Sequence, residues 1–168
     1  MQDDLSDFKL SPKAKAKLKN LSLLKKELAE GKTAQQIIGF SDKLMDKFYK
    51  AAYQLFEHKR YKDAANAFLF LATLNPYVHE YWLALGMASQ MSQDYEAAID
   101  AYELAAMCDI KSPVPYLYLA KCLFSIHDRE SALQALDLAI ETADDIAEYE
   151  DLKKEAEEAK SLLLRNLY

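Results

Sequence analysis

The feature that most constrains this chain is a period. Around Tyr81-Trp82-Leu83-Ala84-Leu85-Gly86, followed by Tyr95-Glu96-Ala97-Ala98-Ile99 and Tyr102-Glu103-Leu104-Ala105, large and small residues alternate in a sparse pattern. The pattern returns in register when the sequence is stepped by 34 residues either way. Ala98 maps to Ala64 and Ala132, Tyr102 to Phe68 and Leu136, and Trp82 to Phe48 and Tyr116. Leu85-Gly86 maps to Ala51-Ala52 and to Leu119-Ala120. Tyr95 maps back to Tyr61 but forward to Arg129, the one departure, and a closing proline occurs once, at Pro76. Small residues at fixed offsets let two antiparallel helices cross closely, and the bulky ones fill the space beside them.

This is the pattern of the tetratricopeptide repeat. The expected fold is all-α: three such repeats in a right-handed superhelix, with an N-terminal helix and a C-terminal capping helix. The expected division is 1–10 disordered, 11–40 an N-terminal helical arm, and 41–144 the repeats (about 44–77, 78–111 and 112–144), with 145–168 the cap. Only three glycines and four prolines interrupt the chain, which suits long helices joined by tight turns. Ser11-Pro12 reads as a helix start, and Lys13 to Glu30 as one helix carrying Leu18, Leu21, Leu24 and Leu28 on a stripe until Gly31 stops it. Thr33 to Ile38 is a short helical turn broken at Gly39. The helix pairs run near Ser41–His58 with Tyr61–Leu74, Val78–Met91 with Tyr95–Cys108, and Val114–Ser125 with Arg129–Thr142, with Asp94 and Asp128 as caps. A last helix, Ile146 to Asn166, sets Leu152, Ala156, Ala159, Leu162 and Leu163 on one face and glutamates on the other, the polar end that a solenoid needs.

The formal charge of -6 argues against a general nucleic-acid binder. No apolar run reaches a membrane span and no signal-peptide core opens the chain, so the expectation is a soluble, cytosolic protein that inserts in no membrane. Cys108 and Cys122 lack a CxxC spacing and read as reduced structural thiols. His58, His79 and His127 have no metal-ligand spacing, and there is no phosphate-cradling loop or nucleophile elbow, so neither an enzyme, a cofactor nor a metal is expected.

What remains is binding. In stacked repeats the first helix of each pair lines the concave groove. Its inward positions read Tyr49, Tyr53 and Phe56, then Leu83, Met87 and Gln90, then Leu117, Lys121 and Phe124, with Lys50, Ala84 and Tyr118 beside them. Such a lining suits an extended peptide with spaced apolar anchors. It does not suit the acidic tail of heat-shock chaperones, because Tyr49, Tyr53, Val114 and Tyr118 stand where a clamp of Lys, Asn and Arg would be needed.

Several segments together resemble the class II chaperones of bacterial type III secretion, the SycD/LcrH family. They are Tyr61-Lys62-Asp63-Ala64, Leu74-Asn75-Pro76-Tyr77, Trp82 to Gly86, Met107-Cys108-Asp109-Ile110-Lys111-Ser112-Pro113, and Ala120-Lys121-Cys122-Leu123. The Asp-Ile-Lys-x-Pro link is the most specific of these. The resemblance implies a protein of the bacterial cytoplasm that binds hydrophobic translocator proteins and keeps them soluble and export-competent. It implies that Tyr49, Tyr53, Phe56, Leu83, Met87, Tyr118, Lys121 and Phe124 hold a proline-containing client segment. It also implies a weak homodimer through the arm from Leu18 to Phe40, at Leu18, Leu21, Leu24, Leu28, Ile37 and Ile38, together with the outer face of repeat one. The rival readings are a generic repeat scaffold for protein assembly and a regulator that partners a transcription factor.

Overall fold

The computed structural model describes residues 10–165; the expected disorder at the N-terminus falls on residues 1–9, outside the described residues. Three short helices come first: α1 (Pro12–Lys19), α2 (Leu21–Ala29) and α3 (Ala34–Ile38). The repeats are α4 (Asp42–Glu57) with α5 (Tyr61–Leu74), α6 (His79–Met91) with α7 (Tyr95–Cys108), and α8 (Val114–Ser125) with α9 (Arg129–Ala143). A 3-10 turn at Ala147–Tyr149 leads into α10 (Glu150–Arg165). Each helix packs on its chain neighbour through the repeats, and α10 closes the stack against α9.

The arm differs from the single helix expected between Lys13 and Glu30. Asn20 ends α1 and, through its side-chain oxygen, accepts the backbone N–H of Leu23 at 3.1 Å, capping α2. An asparagine that can close one helix and open another breaks a leucine stripe that periodicity alone joins. Leu18, Leu21 and Leu28 are consequently exposed rather than packed as one face. The hairpin is held at Glu27, whose Oε1 lies 3.1 Å from the Nζ atoms of both Lys17 and Lys32 while the side chain is only 10% exposed. The arm is sewn to repeat one by buried Gln35. Its Nε2 donates to the Asp42 carboxylate at 2.8 Å and to the Phe40 carbonyl, and its Oε1 accepts from Asn75 at 3.0 Å.

The hydrogen bonds from Lys32, and then from Lys17, hold the Glu27 carboxyl below its ordinary range. A depressed folded-state pKa stabilises above the unfolded value, and that contribution disappears as pH falls through the folded one. Acidification below the usual carboxylate range is therefore expected to strip hydrogen-exchange protection from α1 and α2 before the repeats lose theirs. Equal loss in both places would refute the Glu27 clamp.

The turns inside the repeats follow one plan. Lys59, Gln93 and His127, each 34 residues apart, all sit in the left-handed region at φ 60°, 63° and 66°. Each turn closes with two backbone bonds, as in Lys59 N–H to Phe56 and Arg60 N–H to Leu55 in repeat one. This is the Schellman pattern, in which glycine normally takes the left-handed place. Asp94 and Asp128 then cap the following helices, accepting from Ala97 at 3.3 Å and Ser131 at 3.1 Å. Because a side chain in this region costs about 1–2 kcal/mol and glycine's extra chain entropy offsets part of the relief, Gln93→Gly is expected to stabilise by about 0.5–1 kcal/mol. A lowered midpoint in urea would contradict this.

Two interiors share the stack. One gathers Phe68, Leu71, Leu85 and Ala88 between repeats one and two, and the other gathers Tyr102, Leu117, Leu123 and Leu136 between repeat two and the cap. Ala156 is fully buried, and Leu152, Ala159 and Leu163 pack beside it, but Leu162 is 59% exposed, so the apolar face expected of the last helix is narrower by one leucine. The burial of Cys122 pushes its thiol up to about 11, consistent with an inert structural role.

Candidate functional site: the groove lined by α4, α6 and α8

Helix α4 supplies an aromatic row. Tyr49, Tyr53 and Phe56 follow one another with ring centroids 6.3 and 6.0 Å apart. Tyr49 is braced from below by Phe68 at 5.6 Å and from repeat two by Tyr81 at 5.8 Å, while Tyr53 is 43% exposed. Burial pushes the Tyr49 and Tyr81 phenols up, so both remain neutral hydroxyls at physiological pH. Phe56 turns its ring edge to Tyr61 at 5.3 Å, which fixes the end of the row. Tyr49, Lys50 and Tyr53 share one open cleft of about 450 Å³ with Asp46, Gln54 and Glu57. Lys50 is paired there with Asp46 at 2.7 Å, one helical turn away and well exposed.

Repeat two forms the floor. Leu83 and Met87 are half-buried and lie on the second interior. Ala84 is 7% exposed and belongs to the first interior, so it supports the groove rather than lining it. Gln90 is engaged: its Oε1 accepts from the Tyr102 hydroxyl at 2.8 Å.

Repeat three holds a second, more apolar cavity of about 320 Å³, where Leu117, Lys121 and Phe124 meet residues of α9 and α10. Leu117 is 3% exposed and lies at the bottom, whereas Phe124 is 47% exposed. Lys121 reaches Glu155 of α10 at 2.7 Å and stands 4.9 Å over the Tyr118 ring. Tyr118 in turn stacks on Tyr102 at 5.6 Å.

The residues marked in the sequence thus fall into two clusters, one along α4 and one between α8 and α10, with half-buried Leu83 and Met87 of α6 between them in sequence. Tyr81 and Tyr102 were not among them, although both position residues that were; Tyr102 holds a large-residue place in the 34-residue register, which was the available signal, whereas Tyr81 maps to Lys47 and Pro115 and had none. The contribution of α10 to the far cluster was missed as well. No periodicity within the repeats reports on a helix outside them. On the arm, Ile37 is 2% exposed and cannot meet a second copy, and Leu24 and Ile38 are half-buried.

Among the described residues no helix is long and apolar enough to cross a membrane. Residues 45–77 and 79–109 match the family model of the tetratricopeptide repeat. The third pair, α8–α9, lies beyond that match and carries the Arg129 departure. The structure of the Yersinia enterocolitica type III secretion chaperone SycD in complex with a peptide of the translocator YopD superposes with a TM-score of 0.72 at 26% identity. That superposition covers 76% of this chain and 98% of that one. The low calcium response locus protein H of Yersinia pestis is 30% identical over 125 residues, which is 74% of either protein. The chain belongs to the SycD/LcrH family of type III secretion chaperones. Another chaperone of this kind, PcrH of Pseudomonas aeruginosa, has been crystallised with the chaperone-binding region of PopB. It superposes with a TM-score of 0.67 at 26% identity over 70% of this chain and 95% of that one.

Proposed function

We propose that this chaperone works in the bacterial cytoplasm, where its groove holds an extended segment of a hydrophobic translocator and so keeps the client soluble and ready for export. The observation that carries the reading is the aromatic row of α4, in which exposed Tyr53 stands between half-buried Tyr49 and Phe56 and leaves apolar ring surface open to water. Exposed apolar surface of this kind marks a partner site. The protein acts by binding, without a chemical step. Each anchor that leaves water contributes roughly 25 cal/mol per Å² of apolar area, offset by the ordering of the client segment and of the side chains that grip it. The balance favours a complex tight enough to mask the segment and loose enough to release it at the export gate.

In the same reading two copies meet through the exposed leucines of the arm, Leu18, Leu21 and Leu28. SycD has itself been crystallised as an alternative dimer.

The test is co-expression with candidate hydrophobic translocators. The client should move from the pellet to the soluble fraction and co-purify with the chaperone. A client that stays insoluble in its presence, while the chaperone itself is folded, overturns the proposal in favour of a general scaffold.

A further inference from the structure

In a solenoid, α10 is first of all a cap, and its acidic side is expected to face bulk water. Its placement says more. Ala156 is fully buried, and Leu152, Ala159 and Leu163 seal the second interior. The next stripe around the helix, Asp151, Glu155, Glu158 and Leu162, follows helical spacing and so lies along one face. Two members of that stripe are tied to the groove helix α8. Glu155 holds Lys121 at 2.7 Å, and Leu162 lines the same cavity as Phe124. The stripe therefore borders the groove.

The cavity between them has a floor of Leu117 and Leu136, only 3% and 2% exposed, and walls from Ala120, Phe124, Ala159 and Leu163. At about 320 Å³ it has room for one large or two small apolar side chains. It is too small for a helix, whose diameter with side chains is about 10–12 Å. Asp151 and Glu158 continue the stripe of Glu155 and Leu162 along α10, both are exposed, and Glu158 shares a neighbouring cleft with Leu162. Lys121 of α8 is already held by Glu155 and the Tyr118 ring, while Lys154 and Arg165 line the cleft beside Glu158.

We propose that α10 is the far wall of the client groove: the cavity seats one apolar anchor of an extended segment, and Asp151 and Glu158, the exposed carboxylates on either side of the Glu155–Lys121 pair, select a lysine or arginine beside that anchor. This rests on the groove reading above, and it adds a position and a charge rule to it.

The probe is a displayed library of random peptides of about twelve residues, long enough to span on the order of 40 Å when extended. It is selected on the full chain, and the enriched peptides are then measured by fluorescence anisotropy. Enriched sequences should carry spaced apolar residues, one of them next to Lys or Arg. Ala159→Phe, which fills the cavity, should weaken them about tenfold or more. The pair Asp151→Lys and Glu158→Lys should weaken them several-fold, and replacing the peptide's basic residue by Glu should restore binding to that double variant. Both carboxylates are exposed, so this arm of the test stands even if Ala159→Phe fails to fold. Should Tyr53→Glu abolish binding while the α10 variants bind like the parent, the far wall is wrong and the groove stands. Should nothing be enriched, or should Tyr53→Glu change nothing, the groove reading itself falls.

Discussion

Tyr53→Glu is expected to abolish capture of a translocator while leaving the fold intact. Tyr53 is 43% exposed on α4, flanked by Tyr49 and Phe56 on the same face. Its ring rests on its neighbours and fills no part of either interior, so a glutamate there stays hydrated and the helix keeps its hydrogen bonds. In the complex the same carboxylate would be buried under an apolar segment, and an unpaired charge taken out of water is among the largest penalties available to a single substitution. Binding should fall at least about a hundredfold, equivalent to about 2.7 kcal/mol, with circular dichroism and the melting curve unchanged. Met87→Glu is a poorer version of the test. Met87 is half-buried on the second interior, so its loss of binding would be mixed with loss of stability. Normal co-purification of client with a folded Tyr53→Glu protein would place the site elsewhere.

Gly86→Val is expected to produce the largest loss of stability in the molecule. A Cβ at Gly86 would lie 2.6 Å from a ring carbon of Tyr102, inside any permitted contact. The ring has no free direction in which to yield. It is fully buried, its hydroxyl is bonded to Gln90 at 2.8 Å, and its face stacks on Tyr118. Overpacking of a closed core costs about 1–3 kcal/mol for a small addition, and a branched side chain adds more, so about 3 kcal/mol is a floor. For a chain of this length that corresponds to a melting temperature lower by about 6–12 °C. Repeat three shows one way in which the clash is relieved. In repeat three the register places Ala120 against Leu136, a shorter side chain in the position of Tyr102. The double variant Gly86→Ala with Tyr102→Leu should therefore be more stable than the sum of its single variants implies. Simple additivity of the two effects would show that Gly86 and Tyr102 do not compete for the same space.

The repeat region was legible because its signal is redundant. Three copies of one spacing fix helix limits from several residues at once, and α5, α7 and α8 begin and end at the residues that the register indicates. The arm offered no such redundancy. A stripe of leucines at helical spacing is equally compatible with one long helix and with two short ones, and the decision lay with Asn20, whose side chain caps α2. The same contrast applies to the groove. Register determines which way a position points, which is why Tyr49 and Tyr53 share one cleft and Lys121 and Phe124 another. It does not determine what another element lays over that position. Ala84 is covered by its own interior, Leu117 sits at the bottom of a cavity, and α10 closes over repeat three from outside the repeating unit. The left-handed turn residues were hidden for a different reason. Lys59, Gln93 and His127 share a backbone conformation but no side-chain chemistry.

The division of the interior into two has a mechanical consequence. Both pools of buried side chains draw on α6 and α7, so that pair is the keystone of the arch, and damage there should bring down the whole molecule in one transition. The outer courses depend on one pool each. Heat or denaturant should therefore peel this protein inward from its extremities while the centre still stands.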